Sequence, residues 1–160
     1  MKTKTGIGQD SHRFLPEGSK KKCIVAGLPF EDAPGLDADS DGDVVFHAIC
    51  NAITSITHVP ILGKVAIDLC RKEGITDSRV YLEKAAETLG DQTIEHIALT
   101  IEGGRPKFQK RAEEMRKSVA DLLSLSVEQV GITFTSGDRL TAFGRGEGLM
   151  CFCVATIASS

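Results

Sequence analysis

Aromatic residues make up only 5% of the 160-residue chain, and no run of basic residues is interleaved with them. With a formal net charge of -3, nothing in the composition points to a nucleic-acid partner. Lys20, Lys21 and Lys22 form a short cluster that reads as a solvated approach to a strand. No stretch of 18 apolar residues occurs, so no membrane-spanning helix is expected. The N-terminus enters Lys2, Thr3 and Lys4 with no apolar signal region behind them. Of the five cysteines, none forms a Cys-x-x-Cys pair; Cys151 and Cys153 share one face of a strand. Reduced, buried thiols in a cytoplasmic protein are the expectation. Internal repeats and low-complexity segments are lacking too, and 41% hydrophobic with 26% charged residues suits one globular domain, residues 1–160.

Alternation and turn signals predict short strands at residues 3–9 and 22–26, separated by a turn at Pro16 and Gly18. Residues 27–43 read as an acid-rich loop. Ser40 and Asp43 stand at capping-box spacing before a helix whose core stripe is Val45, Ile49, Ala52, Ile53 and Ile56. His47 falls off that stripe, on the polar face with Asp43 and Asn51. Residues 58–76 read as a loop with a short helical turn. Asp77 and Ser78 open another helix, with Leu82, Ala85, Ala86 and Leu89 in register and Gly90 as its stop. Residues 93–101 alternate as a strand with Ile97, Leu99 and Ile101 inward, and His96 beside Ile94 on the other face. A helix carrying Phe108, Met115, Val119 and Leu122 leads to a strand at 130–135. After a polar glycine-rich loop, residues 149–157 form a nearly continuous apolar strand, expected to be buried on both faces. One of those faces needs a cover beyond the domain's own helices, and self-association would supply it. The order β-β-α-α-β-α-β-β implies an α+β two-layer sandwich, a small mixed sheet covered on one face by helices.

The chemistry centres on Asp10, His12 and His47. An Asp-x-His pair on a strand sends both side chains to one face, and a histidine one turn into a helix can close the set. Three N/O donors with a free fourth position describe a catalytic divalent-metal site. Two other readings use the same residues: an iron centre of the two-His-one-carboxylate kind, usual in a jelly roll, and a structural zinc site with Cys23 as fourth ligand. Gly144, Gly146 and Gly148 precede a strand, which excludes the dinucleotide motif but leaves Arg145 free to fork onto a phosphate. Thr135, Ser136 and Asp138 supply hydroxyls and a hard oxygen, the groups expected around magnesium-bound phosphates. Lys107, near a helix start after Pro106, is a further anion contact. Together these groups point to a substrate with more than one phosphate, handled by two metals.

The segments 8–12 (Gly-Gln-Asp-Ser-His), 40–48, 77–79, 106–107 and 143–148 resemble, in order, those of the 2-C-methyl-D-erythritol 2,4-cyclodiphosphate synthase family of the non-mevalonate isoprenoid pathway. The resemblance spans essentially the whole chain. It implies a homotrimer built around the sheets, with active sites between subunits and an apolar cavity on the threefold axis. It implies zinc on Asp10, His12 and His47, and magnesium or manganese on Asp138. Asp10, His12, Asp39, Ser40, Gly103, Pro106, Lys107, Thr135, Ser136 and Arg145 would meet the diphosphocytidyl substrate, with Asp39 and Ser136 in catalytic positions. Arg145 and Glu147 would face the trimer axis. CMP would be released as the 2-phosphate closes a ring on the β-phosphorus.

Several departures accompany the resemblance: Ser136 stands where the family has Thr and keeps the hydroxyl, and Asp138 stands where it has Glu. Asp39 stands where the family has His. Asn51 replaces an Asp four residues after the helix ligand, which removes a supporting carboxylate. Residues 59–68 replace the family's lid motif, and Phe143 is shifted by one place. A trimeric binding protein for phosphate or isoprenoid diphosphate, weakened as a catalyst, is the alternative these changes raise.

Overall fold

Glycine at alternate strand positions lets a helix lie directly on the sheet. A Cβ on Gly6 would sit 2.3 Å from the Ala52 carbonyl oxygen, and one on Gly8 only 2.1 Å from that of Ala48. Strand β1 (Lys2–Arg13) therefore carries helix α1 (Val44–Thr57) at backbone contact, and this brings the two halves of the site together. The computed structural model describes residues 1–160.

A small hairpin, β2 (Cys23–Val25) with β3 (Leu28–Phe30), follows β1. After α1 come helices α2 (Lys64–Glu73) and α3 (Ser78–Glu87), then strand β4 (Thr93–Glu102), helix α4 (Ala112–Leu123), and strands β5 (Val130–Thr135) and β6 (Gly148–Ser159). The main sheet has the order β1, β6, β4, β5. β6 pairs antiparallel with both neighbours, and β4 pairs parallel with β5 across the α4 crossover. Helices cover one face, so the expected mixed α+β sandwich is the fold observed.

The core stripe of α1 is as the period required: Val45, Ile49, Ala52 and Ile53 are wholly buried. α3 and α4 likewise bury Leu82, Ala85, Met115 and Val119. Three local readings need correction. Residues 27–43 contain the short strand β3, and residues 58–76 contain a ten-residue helix, α2, which buries only Ala66 and Leu69 and so shows little apolar period. Ile94 faces the core, because a bulge between Ile94 and His96 shifts the alternation by one residue. β6 is buried on one face alone within the chain: Cys151, Cys153 and Ala155 point inward while Phe152 and Val154 lie exposed. Ile7 pairs with Val154 across the sheet and is also exposed, so the outer face carries an apolar patch.

Lys21 does not behave as a solvated approach. Its Nζ donates to the carbonyls of Leu36, Ala38 and Ser40 at 2.8, 2.8 and 2.7 Å, pinning the acidic loop that enters the site. Burial lowers its pKa, against the neighbouring Asp41, Asp37 and Asp39. All five cysteines are unpaired, as expected. No helix is long and apolar enough to cross a membrane.

Candidate metal centre and anion clefts

Asp43, not Ser40, caps α1. Oδ1 accepts the backbone N–H of Val45 and Phe46, both at 3.1 Å, and of Ala26 at 2.9 Å, while Oδ2 accepts Gly27 N–H at 2.6 Å. Ser40 is set aside because Gly42 turns the chain at φ 76° and donates its N–H to Ser40 Oγ. Burial pushes the Asp43 carboxyl up to about 7; the Asp41 charge adds to this, and the Gly27, Phe46 and Ala26 donors oppose it.

The cap starts the helix so that His47 lies one turn in, over β1. Its ring is 6% exposed, not on a solvated face, because the strand and α3 enclose α1 from both sides. His47 Nδ1 lies 3.1 Å from Asp10 Oδ2, and His12 Nε2 lies 3.0 Å from the same oxygen. The three donor atoms all fall within 4.8 Å of one another. Burial works against the Asp10 charge, yet both imidazoles outweigh it and hold the carboxyl below its ordinary value. Burial likewise works against a charged His12, and Asp10 more than offsets it, so the imidazole sits above its ordinary value.

A divalent cation fits this arrangement on the structure's own terms. His12 Nε2 is buried, and although it is close to Asp10 it makes no hydrogen bond. The other side of the His47 ring is occupied, since its Nε2 meets Ser78 Oγ at 2.7 Å. Two nitrogens and one carboxylate oxygen aimed at a common point suit a borderline-soft cation with one position open. Cys23 does not join the group, and burial raises its thiol to about 12, so the structural-zinc reading with Cys23 fails. A four-stranded sheet layered with helices is also no jelly roll, which removes the basis of the iron-oxygenase reading.

Asn51 donates to the Gln9 carbonyl at 3.0 Å and stands away from the donor atoms. The carboxylate nearest to supporting His47 is Asp41, which accepts from the Ser78 hydroxyl.

Asp39 and Ser40 line a cavity of about 240 Å³ together with Asp10, His12 and His47. Its far wall is α2, through Ala66, Ile67 and Cys70, so the short helical turn expected in this segment is a ten-residue helix standing over the centre. Arg71 of α2 reaches Asp39 at 3.8 Å. Gly103, Pro106, Lys107, Thr135 and Ser136 gather around a second cleft of about 320 Å³ that also holds Phe108 and Phe134. Ser136, Asp138 and Arg145 meet in a third cleft, about 750 Å³, whose lining has no hydrophobic residue and includes Arg105 and Arg139. Arg145 Nε donates to Glu147 at 2.8 Å. The backbone is left-handed at Gly137, Asp138 and Arg139 in succession.

Within one chain, the triad and the second cleft share no lining residue. The reason is topological: β1 and β5 are opposite edges of the sheet, three strand spacings or roughly 14 Å apart. Sequence reasoning missed Lys21, Asp41 and Arg105 as contributors, and took Ser78 only as part of a helix start. The alternation of Asp with small residues at 37–43 was a signal for Asp41; nothing near Lys21 marks it.

The fold and its donor set describe an α+β protein with three side chains placed so that they could hold a cation, and with clefts lined by arginine, lysine and hydroxyl groups that suit anions. The model of the YgbB family matches residues 3–158, and the chain belongs to that family. It is 57% identical over 156 residues to the 2-C-methyl-D-erythritol 2,4-cyclodiphosphate synthase of Chlamydia caviae, covering 97% of this chain and 89% of that one. It is 54% identical over 155 residues to the enzyme of the same name from Chlamydia trachomatis, covering 96% and 87%. Among solved structures, a 2C-methyl-D-erythritol-2,4-cyclodiphosphate synthase in its CDP-bound form superposes with a TM-score of 0.86 at 25% identity, over 97% of this chain and 100% of that one. The bifunctional IspDF of Campylobacter jejuni gives 0.87 at 25% identity over 98% of this chain, which spans 42% of that longer protein.

Proposed function

We propose that this protein is a metal-dependent cyclodiphosphate synthase, a phosphorus–oxygen lyase. It converts 4-diphosphocytidyl-2-C-methyl-D-erythritol 2-phosphate to the 2,4-cyclodiphosphate and releases CMP. The observation that carries the reading is the convergence of Asp10, His12 and His47 in a chain of this family.

The attacking 2-phosphate is already an anion, so the chain needs no strong general base; folding the substrate and balancing its charge do most of the work. A zinc ion on the triad and a magnesium or manganese ion shared by Asp138 and the phosphates would supply Lewis-acid charge neutralisation. Asp138 is the carboxylate the chain would offer to that second cation, as a hard oxygen ligand. Lys107 and the backbone around Gly103 and Pro106 hold the cytidylate end, Thr135 and Ser136 offer hydroxyls to the phosphates, and Arg145 forks onto an oxygen pair. Asp39 and Ser40 line the methylerythritol end, with α2 as its wall. Because one chain holds its triad and its Lys107 cleft on opposite sheet edges, the complete site is assembled between subunits of a homotrimer. The apolar patch at Ile7, Phe152 and Val154 supports burial of the open sheet face there. Arg145 and Glu147 then stand near the threefold axis. Unpaired thiols accord with action in the cytoplasm.

Incubating the purified protein with the diphosphocytidyl substrate, zinc and magnesium is expected to yield CMP and cyclic product in equal amounts. CMP accompanied only by a hydrolysed, uncyclised product would overturn the proposal. Tight substrate binding with no turnover would instead favour the alternative of a phosphate-sensing trimer.

A further inference from the structure

Behind His47, away from the proposed cation, runs a short chain of polar groups, buried Ser78 and half-buried Asp41, that the proposed reaction does not use. His47 Nε2 lies 2.7 Å from Ser78 Oγ. That hydroxyl is in turn hydrogen-bonded to Asp41 Oδ1. Asp41 also accepts the Ser78 backbone N–H at 3.0 Å through Oδ2 and the Asp43 N–H at 3.0 Å through Oδ1. Ser78 is completely buried.

The direction of each bond follows from what each group can do. A carboxylate accepts only, and here both oxygens already take backbone donors, so the Ser78 hydroxyl spends its one proton on Asp41. The hydroxyl oxygen can then only accept from His47, which requires the hydrogen on Nε2. A neutral imidazole carries one ring hydrogen, so Nδ1 is left as a bare lone pair. That lone pair points at Asp10 Oδ2, 3.1 Å away. Two electron-rich atoms at this distance call for positive charge between them, either a second ring proton or a metal cation.

We infer that Ser78, oriented by Asp41, is a positioning residue that fixes the tautomer of His47 and so readies Nδ1 for the metal. The inference rests on the metal reading above and adds to it where the affinity comes from. It also links two places far apart in sequence: the start of α3 and the acidic loop before α1 act together on one ring nitrogen. Hydrogen-bonded groups behind a histidine ligand typically carry about 10- to 100-fold of metal affinity.

The test uses the full chain with ¹⁵N-labelled histidine. Long-range proton–nitrogen spectra of the metal-free parent are expected to show His47 with its hydrogen on Nε2. Ser78→Ala is expected to mix the tautomers and to weaken zinc binding, measured by competition with a chromogenic chelator, by about 10- to 100-fold. Ser78→Thr, which keeps the hydroxyl, is expected to restore both. Ser78→Ala retains the backbone bond to Asp41 and the Asp77 cap, and circular dichroism confirms that its fold is intact. Asp41→Asn gives a second route, since an amide no longer forces the serine hydroxyl to donate toward it. A parent that binds zinc and a Ser78→Ala variant of equal affinity and unchanged tautomer would overturn this inference alone. A parent that takes up no zinc would overturn the metal reading with it.

Discussion

Replacing Asp43 by Asn isolates the physics that holds the helix start. The carboxylate shares four backbone donors unequally: three on Oδ1, from Ala26, Val45 and Phe46, and one on Oδ2, from Gly27. An amide placed with its oxygen at the Oδ1 position keeps the three and turns an N–H₂ against Gly27. One hydrogen bond is lost and two donors meet, but at acidic pH the parent's own proton also sets an O–H near one of the four donors, so the cost there is only about 1 kcal/mol. The pH dependence is sharper. Burial raises the Asp43 carboxyl from 3.8 to about 7, so between these values the folded chain holds a proton that the unfolded chain has released. Stability from this group is therefore greatest below pH 4 and falls as pH rises toward 7, by about 4 kcal/mol in all. The Asn variant does not titrate and lacks this fall, so its deficit against the parent shrinks with rising pH and vanishes or reverses by pH 8. Urea unfolding at pH 5, 6, 7 and 8, followed by far-ultraviolet circular dichroism at one fixed protein concentration, measures it. A variant that loses stability between pH 5 and 8 as steeply as the parent would refute the assignment. Asp43→Ala strands all four donors in the interior at about 1–3 kcal/mol each, comparable with the whole stability of a domain, and is expected not to fold.

Gly8→Ala would place a Cβ 2.1 Å from the Ala48 carbonyl oxygen, which no side chain can evade because the obstacle is backbone. Prising α1 from β1 is expected to cost about 3 kcal/mol or more and to separate His47 from Asp10 and His12, read as a lower melting temperature together with weakened zinc uptake. Lys21→Met keeps the length of the side chain but frees three carbonyls between Leu36 and Ser40. The expected result is a KM raised several-fold together with weaker zinc binding, because the loop presents Asp39 and Ser40 and also carries Asp41, which reaches His47 through Ser78; an unchanged KM would count against it.

Legibility in the sequence followed how local the determining interaction was. The stripes of α1, α3 and α4 and the strand at 130–135 were visible because burial repeats at the period of the element itself. α2 was not, since it lies at the surface with two buried side chains and has nothing to enforce a period. The inward turn of Ile94 was lost to a bulge, a property of strand pairing that one strand's alternation does not carry. His47 read as a ligand on the polar face of its own helix, and only the neighbours packed on both sides make it buried.

The amino-acid order alone singled out Asp10, His12 and His47, whose donor atoms the structure brings within 4.8 Å of one another. Asp10 and His12 must share a face because strand side chains alternate, and glycines at 6 and 8 leave room for a helix on that face. The tertiary structure decided everything that depends on segments meeting. Lys21 finds the carbonyls of the acidic loop, Asp41 reaches His47 through Ser78, and β1 and β5 end at opposite edges of one sheet. These contacts join residues tens of positions apart, and a linear pattern holds no distance between such residues until the core has closed.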